Sequence, residues 1–541
     1  MKSKFILLVI GSILFHEKID AQVWNWSKQI GGSDFDTPKY SCIDAGGNLY
    51  VTGSFFSNPC FFETDSLVPN GHDDYFIIKL DPNGNRIWVR SFGGNNGNMQ
   101  QENFSALQYD QISNTLVLSG TYYGTSIYGT DTLTGYPGGF LARIDTGGNF
   151  IWVKKLSHAA FLTVDNSSNI YAEFFLTATS SIDTFIASPG IWLVKFDSVG
   201  NLQWTKKIFN TNLTSYGFDA YFTNIEVRGD KIFGIGFCSV DTFTVDTVHV
   251  DANLAIGQCI IGCFDTSAAA YWVKPIAGYT SNGTFNLIVG NDNSIYTTGS
   301  FSHEGFFGSD TLHADSGLAE DIFIAKYDSM GTNIWAMQGN AEFGIGQSLC
   351  FDNEGGFYVT GIIMGSATFG SYTINSNANG DLIVARFDTS GGCIGLKHLG
   401  KANGYNVLCD NNGFVYATGT FYNTVTFDIN PSLTSYGQTD IYIAKSDAIT
   451  GIGEEERRSN HLVIYANPNE GKCNITIPDE FRHEKKLTLS IIDNTGKLIQ
   501  QGNVQMNEDK VHVNLEAEAK GIYNVTLSNG KKSYGGKIVF E

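Results

Sequence analysis

Two patterns of apolar and polar positions recur along most of the chain, and both read as β-strand. The first is an aromatic or aliphatic run ending in glycine: Tyr50-Val-Thr-Gly53, Val117-Leu-Ser-Gly120, Phe233-Gly-Ile-Gly236, Tyr296-Thr-Thr-Gly299, Tyr358-Val-Thr-Gly361 and Tyr416-Ala-Thr-Gly419. Tyr171-Ala-Glu-Phe174 falls between the second and third, with Phe in the glycine position, giving seven copies at steps of 54 to 67 residues. The second is an alternating run closed by Asp81, Asp145, Asp197, Asp265, Asp328, Asp388 or Asp447. Seven residues after the aspartate stands Trp88, Trp152, Trp204, Trp272 or Trp335, and in the sixth copy Gly395.

The fixed offset has a physical meaning. Aspartate with a following Gly or Asn makes a tight turn, the chain reverses, and the tryptophan lands in the returning strand against the next sheet. A buried tryptophan removes roughly 150–250 Å² from water. At about 25 cal/mol per Å² this is on the order of 4–6 kcal/mol, an upper estimate because unfolded chains are partly compact. The recurring glycine allows close backbone approach.

Each repeat reads as four strands: one ending at an aspartate such as Asp44 or Asp352, the Tyr…Gly strand, the Asp-closed strand and the Trp strand. Radially repeated four-stranded sheets make a β-propeller; solenoid repeats are usually shorter. The seventh copy lacks its Trp strand, while an unmatched one, Val23-Trp-Asn-Trp26-Ser-Lys-Gln-Ile-Gly-Gly32, stands near the other end. The expected fold is all-β: a seven-bladed β-propeller over 22–449, closed by the N-terminal strand so that no edge is left open.

Past a polar linker at 450–460 the repeat stops. Residues 461–541 hold seven short alternating strands, which predict a small Ig-like β-sandwich. At the other end, Lys2 and Lys4 precede an apolar run from Phe5 to Phe15 and a polar stretch. This predicts a signal peptide over 1–21, cut between Ala21 and Gln22. No later segment reads as a transmembrane helix.

Composition adds little to this picture. The 541 residues are 42% hydrophobic with 61 Gly and 10 Pro, which suits many short strands and turns. The net charge of −20 and the absence of a basic patch argue against a nucleic-acid partner.

The repeat resembles the SBBP-type β-propeller family, whose copies read roughly Asp-x-Phe-x-x-Lys-x-Asp-x-x-Gly-x-x-x-Trp. Asp321-Ile-Phe323-Ile-Ala-Lys326-Tyr-Asp328-Ser-Met-Gly331-Thr-Asn-Ile-Trp335 fits it closely; copies three, four and six are degenerate. The resemblance implies a fold and an extracytoplasmic habit. A second resemblance lies in the C-terminal part. Tyr465-Ala-Asn467-Pro468-Asn-Glu-Gly471, then Asp493-Asn-Thr-Gly496, Gly521-Ile-Tyr523 and Lys537-Ile-Val539 look like the type A sorting domain of the type IX secretion system of Bacteroidota. Ala466 departs from the family's Tyr-Pro-Asn-Pro. The resemblance implies export through the type IX machinery, removal of the domain by a surface protease, and release or attachment at the cell surface.

No catalytic constellation is found. HExxH, CxxC, GxSxG and Walker-type motifs are missing, and the ten His are scattered. Asp81-Pro-Asn-Gly-Asn85 and Asp352-Asn-Glu-Gly-Gly356 faintly resemble calcium loops but lack the full ligand set, so no metal or other cofactor is expected, calcium staying open. Lys79, Arg143, Lys195, Lys326, Arg386 and Lys445 precede the closing aspartate by two, either as a binding ring or as partners of carboxylates within their own repeats. Cys238 with Cys259 is a candidate disulfide. Asp65-Ser-Leu, Asp131-Thr-Leu, Asp246-Thr-Val and Asp310-Thr-Leu resemble O-glycosylation acceptors or serve as strand residues. Adjacent Asp73 and Asp74 point to opposite faces and make no catalytic pair. The expectation is a secreted or surface-displayed binding or structural module, with glycans or surface proteins as candidate partners and its ligand residues unknown. The alternative is a polysaccharide-acting enzyme with a site in the loops.

Overall fold

Seven antiparallel four-stranded meanders follow one another through residues 24–446 of the computed structural model. The structure describes residues 23–94, 103–209, 213–214, 217–218, 220–240, 242–251, 258–276, 286–314, 320–376, 380–428 and 430–449. Between 462 and 540 it describes all but 463, 466, 468, 479–480, 483–485, 494–496, 505–509 and 530–532. Ala21 and Gln22, with the predicted signal peptide, lie outside these residues. Among those described there is no α-helix, and no helix long and apolar enough to cross a membrane.

Sheet one runs Asp36–Ile43, Leu49–Phe55, Asp74–Leu80, Arg86–Phe92. Sheets two to six begin at Asn103–Asp110, Ala160–Val164, Ala220–Arg228, Asn286–Val289 and Phe343–Phe351 and repeat the order. Sheet seven takes three strands from Ala402–Cys409, Val415–Phe421 and Asp440–Ser446, and its fourth is Trp24–Gly32. That strand pairs antiparallel with the third, from Trp24 opposite Ser446 to Ile30 opposite Ile441. The first strand of each sheet packs on the first strands of its two neighbours, and that of sheet seven packs on that of sheet one, so the seven form a closed circuit.

The Asp-closed strands differ from the alternating reading. Asp74–Leu80 and its partner Leu49–Phe55 are buried at every position. A middle strand covered by a neighbouring sheet on each face has no solvent side to alternate toward. The glycines ending the second strands have the expected role. A Cβ on Gly419 would stand 1.7 Å from the Asn403 carbonyl oxygen, and on Gly361 2.0 Å from that of Ile345. Both face a bulge, where the first strand sets two residues against one. The first strand of sheet three has no bulge, and Phe174 is accommodated opposite Ala160.

Each repeat also holds a short hairpin between its second and third strands that the four-strand reading missed, such as Cys60–Phe62 with Asp65–Leu67. Several of these hairpins pair with the last strand of the preceding sheet, as in Phe62 opposite Ile30 and Val245 opposite Phe209. They cover an edge that would otherwise expose unpaired backbone groups. The Asp-Ser/Thr triplets begin the returning strands of such hairpins or occupy their turns.

The tryptophans sit on the next sheet's turn. Gly84, Gly148, Gly200, Gly331 and Gly391, all at positive φ, lie under Trp26, Trp88, Trp152, Trp272 and Trp335. The indole N–H groups of Trp26, Trp88, Trp272 and Trp335 donate to turn carbonyls at 3.1–3.3 Å. Only Trp88 and Trp272 of these five are buried; the others are half-buried, so the full-burial value overstates them. All nine cysteines are free, Cys238 and Cys259 included.

The chain divides into two compact units, one spanning Val23–Ile449 and one containing the C-terminal residues from Thr450. The second has two antiparallel sheets. One is Ile464–Tyr465, Lys472–Thr476, Lys510–Asn514; the other orders Leu498–Val504, Leu487–Asp493, Gly521–Ser528, Ser533–Phe540. Both contribute to one core that includes Ile475, Val513, Leu489, Val525 and Ile538.

Candidate functional site

The repeated basic residues are absorbed by the fold. Each stands opposite the tryptophan position of its own sheet, as Lys79 opposite Trp88 and Lys445 opposite Trp26. Lys79, Arg143 and Arg386 reach the carboxylates of Asp44, Asp110 and Asp352 in their own sheets at 3.5, 2.6 and 2.7 Å. Lys195, Lys326 and Lys445 instead lie over the rings of Tyr171, Tyr296 and Tyr416. Five of the six also donate to a carbonyl of the following sheet: Thr146, Ser168, Thr389, Ile449 and Pro82. Arg143 is the most enclosed, donating also to Ser113 and Thr115. Arg143→Leu is expected to cost about 3–5 kcal/mol, because Asp110 is left buried and uncompensated, whereas Arg143→Leu with Asp110→Leu should cost less. Urea unfolding of the two variants checks this.

The loops with a faint likeness to calcium sites are turns that satisfy themselves. Asp81 Oδ1 accepts the N–H groups of Asn83 and Asn85, and Asp352 Oδ1 those of Glu354 and Gly356. Asp73 and Asp74 are both buried, and burial pushes the Asp74 carboxyl up to about 6. Among the described residues no group of three or more His, Cys, Asp or Glu is placed to hold a metal.

A polar cavity of about 570 Å³ lies where the turns between first and second strands of sheets two to five converge. Sequence reasoning did not find it. Sheets one, three, five and seven close this turn with the same pair of backbone bonds, as from Asp165 to Asn169 and from Ser168 to Asp165, and sheet six has the first of them, from Asp352 to Gly356. Sheet two has the loop from Asp110 to Thr115 instead, and sheet four a two-residue turn, Gly229 and Asp230, with Arg228 opposite Lys231. The short turn withdraws chain from the space its counterparts occupy. Between sheets six and seven the corresponding gap is bridged by Asn353, which donates to the Asp410 carbonyl at 2.7 Å.

The wall of the cavity is tied together between sheets. Thr163 Oγ1 accepts the Val227 N–H at 3.0 Å, and Glu226 Oε2 accepts that of Val289 at 3.1 Å. Burial pushes the Glu226 carboxyl up to about 7, opposed by the nearby Arg228 cation. Arg228 donates to Asn291 of sheet five. Gln108 Oε1 is buried and has no hydrogen-bond partner.

In the C-terminal unit the predicted motif residues tie strands together. Asn467 Oδ1 accepts the Val539 N–H at 2.7 Å, and Asn469 N–H donates to the Val539 carbonyl at 2.9 Å. Gly471, at φ +97, has its N–H on Asn469 Oδ1. Tyr465 lies under Lys510 Nζ at 5.1 Å. Asp493 holds its turn through the Lys497 N–H, and the Tyr523 hydroxyl donates to the Ala519 carbonyl four residues back. Gly521 opens the strand that Tyr523 occupies, and Lys537 is in register opposite Asn524. Pro468 and Gly496 lie outside the described residues.

Residues 463–541 match the family model of the secretion system C-terminal sorting domain. They are a type IX sorting domain. The protein is therefore delivered through the type IX secretion machinery to the cell surface or the extracellular space. An uncharacterised WD repeat-containing protein of Acanthamoeba polyphaga mimivirus is 25% identical over 384 residues, 63% of this chain and 25% of that protein. The match thus spans a quarter of that relative's length. Propeller structures are among the structural neighbours: the Dos1 propeller has 10% identity and a TM-score of 0.38, covering 78% of this chain and 95% of that one. A member of the DUF4221 family from Bacteroides vulgatus has 10% identity and a TM-score of 0.28, covering 79% and 94%. The GH43 endo-arabinanase of Bacillus licheniformis has 12% identity and a TM-score of 0.27, covering 56% and 100%.

Proposed function

We propose that the seven meanders are the blades of a closed β-propeller of the SBBP type, followed by an Ig-like sandwich, and that the propeller acts outside the cell as a non-catalytic binding module. The observation that carries this reading is the fate of the repeated charged groups. Arg143, Lys79, Arg386 and Lys445 hold sheets together and are not gathered in a pocket. An enzyme brings dissimilar reactive groups to one place. One feature favours a polysaccharide-acting enzyme instead: the Glu226 carboxyl, raised to about 7, lies in the range of a general acid at the cavity wall. A glycan array followed by a hydrolysis assay on every binder separates the two. Binding without turnover is the expected result; release of shorter sugars would overturn the non-catalytic reading.

A further inference from the structure

We propose that the cavity between the turns of sheets two to five binds a neutral, polyhydroxylated ligand of disaccharide size. This rests on the reading of the propeller as a binding module and names its ligand class. At about 570 Å³ the space falls within the range of small-molecule sites. Side-chain amides contribute to its lining from three sheets. Gln108 and Gln111 stand on the sheet two side, Asn166 on the sheet three turn and Asn293 on that of sheet five. An amide offers donors and an acceptor side by side, matching a hydroxyl group, which also does both.

Charge narrows the class. Asp110 is neutralised by Arg143, while the Arg228 cation donates to the neutral amide of Asn291. Asp165 Oδ1 accepts the Ser167 and Asn169 N–H groups of its own turn, and Asp230 is exposed. The carboxylates of Asp165 and Asp230 outnumber the one guanidinium of Arg228 on this lining, and that excess disfavours an acidic sugar or a phosphate. The wall also carries one unmet demand. Gln108 Oε1 is buried without a donor, a costly state that is relieved if the amide turns toward the cavity to meet a ligand hydroxyl. The Tyr109 hydroxyl is occupied by Asn114, so recognition runs through the amides.

The test is titration calorimetry on the full chain with cellobiose, maltose, lactose and N,N′-diacetylchitobiose, and with lactobionate as the acidic control. At least one neutral disaccharide is expected to bind, and lactobionate at least tenfold more weakly. Gln108→Leu and Asn166→Leu should each weaken binding at least fivefold, while Asn412→Leu, on the turn of sheet seven, should not. Asn166 is exposed, so its variant keeps the test open even if Gln108→Leu fails to fold. Binding by none of the four sugars, equal binding of lactobionate, or binding indifferent to Asn166→Leu would overturn the proposal. A sugar bound indifferently to these variants leaves the binding-module reading standing. A sugar bound here and cleaved leaves the site standing and removes the non-catalytic reading.

Discussion

Deleting residues 23–32 should abolish the cooperative unfolding of the 23–449 unit or lower its midpoint by more than about 10 °C. The strand supplies the fourth member of sheet seven, and without it the backbone groups of Asp440–Ser446 lose a neighbour along the register from Ser446 to Ile441. Two of its side chains, Trp24 and Ile30, are almost fully buried. Their burial alone is worth on the order of 5 kcal/mol, a large part of the net stability of an ordinary domain. The strand also serves its neighbours. Trp26 caps the Gly84 turn of sheet one, Trp24 lies under Lys397 of sheet six, and Gly31 pairs with Phe61 of the first hairpin. The loss is therefore felt in three sheets at once. Differential scanning calorimetry of the truncated chain measures it. A synthetic peptide of residues 22–33 added in trans should restore part of the transition. A truncated chain that melts as the full one does would contradict this account.

That strand shows what the sequence makes legible. A repeat that places the same turn, glycine and tryptophan in most of its seven copies writes those residues at fixed offsets, and a missing element stands out against the period. The same logic hides the cavity. It arises where the period is broken, at the loop from Asp110 to Thr115 and at the two-residue turn after Arg228. Comparing turns across copies would have flagged both: the loop after Asp110 keeps its capping aspartate but closes on Thr115, one residue beyond the span of Asp44 or Asp410, and the turn after Arg228 has neither aspartate nor span. The small hairpins escaped for a different reason. Their strands are only two to four residues long in most copies, too short for a period of two to be distinguished from chance. The partners of Lys326 and Lys445 were not readable either, since a carbonyl acceptor in the next sheet has no side-chain signature.

Glu173→Gln should stabilise the protein at pH 9 and leave it nearly unchanged at pH 4. Glu173 occupies the position that is Thr52, Ser119, Thr298, Thr360 or Thr418 in other second strands. Its role there is conserved in kind: Oε1 accepts the Phe222 N–H of the next sheet at 3.0 Å, as Ser119 Oγ accepts that of Ala160. The second oxygen is buried with no partner, and burial raises the carboxyl from 4.5 to about 8 against the weaker lowering by the Phe222 N–H. A folded-state value above the unfolded one means that the folded protein holds the proton longer. Stability from this group is full below about pH 4.5 and is lost as the pH climbs through 8, by up to roughly 5 kcal/mol from the size of the shift. Glutamine keeps the oxygen acceptor and cannot ionise, so it removes that slope. Asp36 and Asp74, each raised to about 6, and Glu226, raised to about 7, titrate alike in both proteins and cancel in the difference. Urea midpoints taken every half unit from pH 4 to pH 9 should diverge between about 5 and 8 and run parallel above. A constant difference across that range, or a variant weaker than the parent at pH 9, would show that Glu173 is ionised in the folded protein and that some charge or water compensates it between sheets three and four.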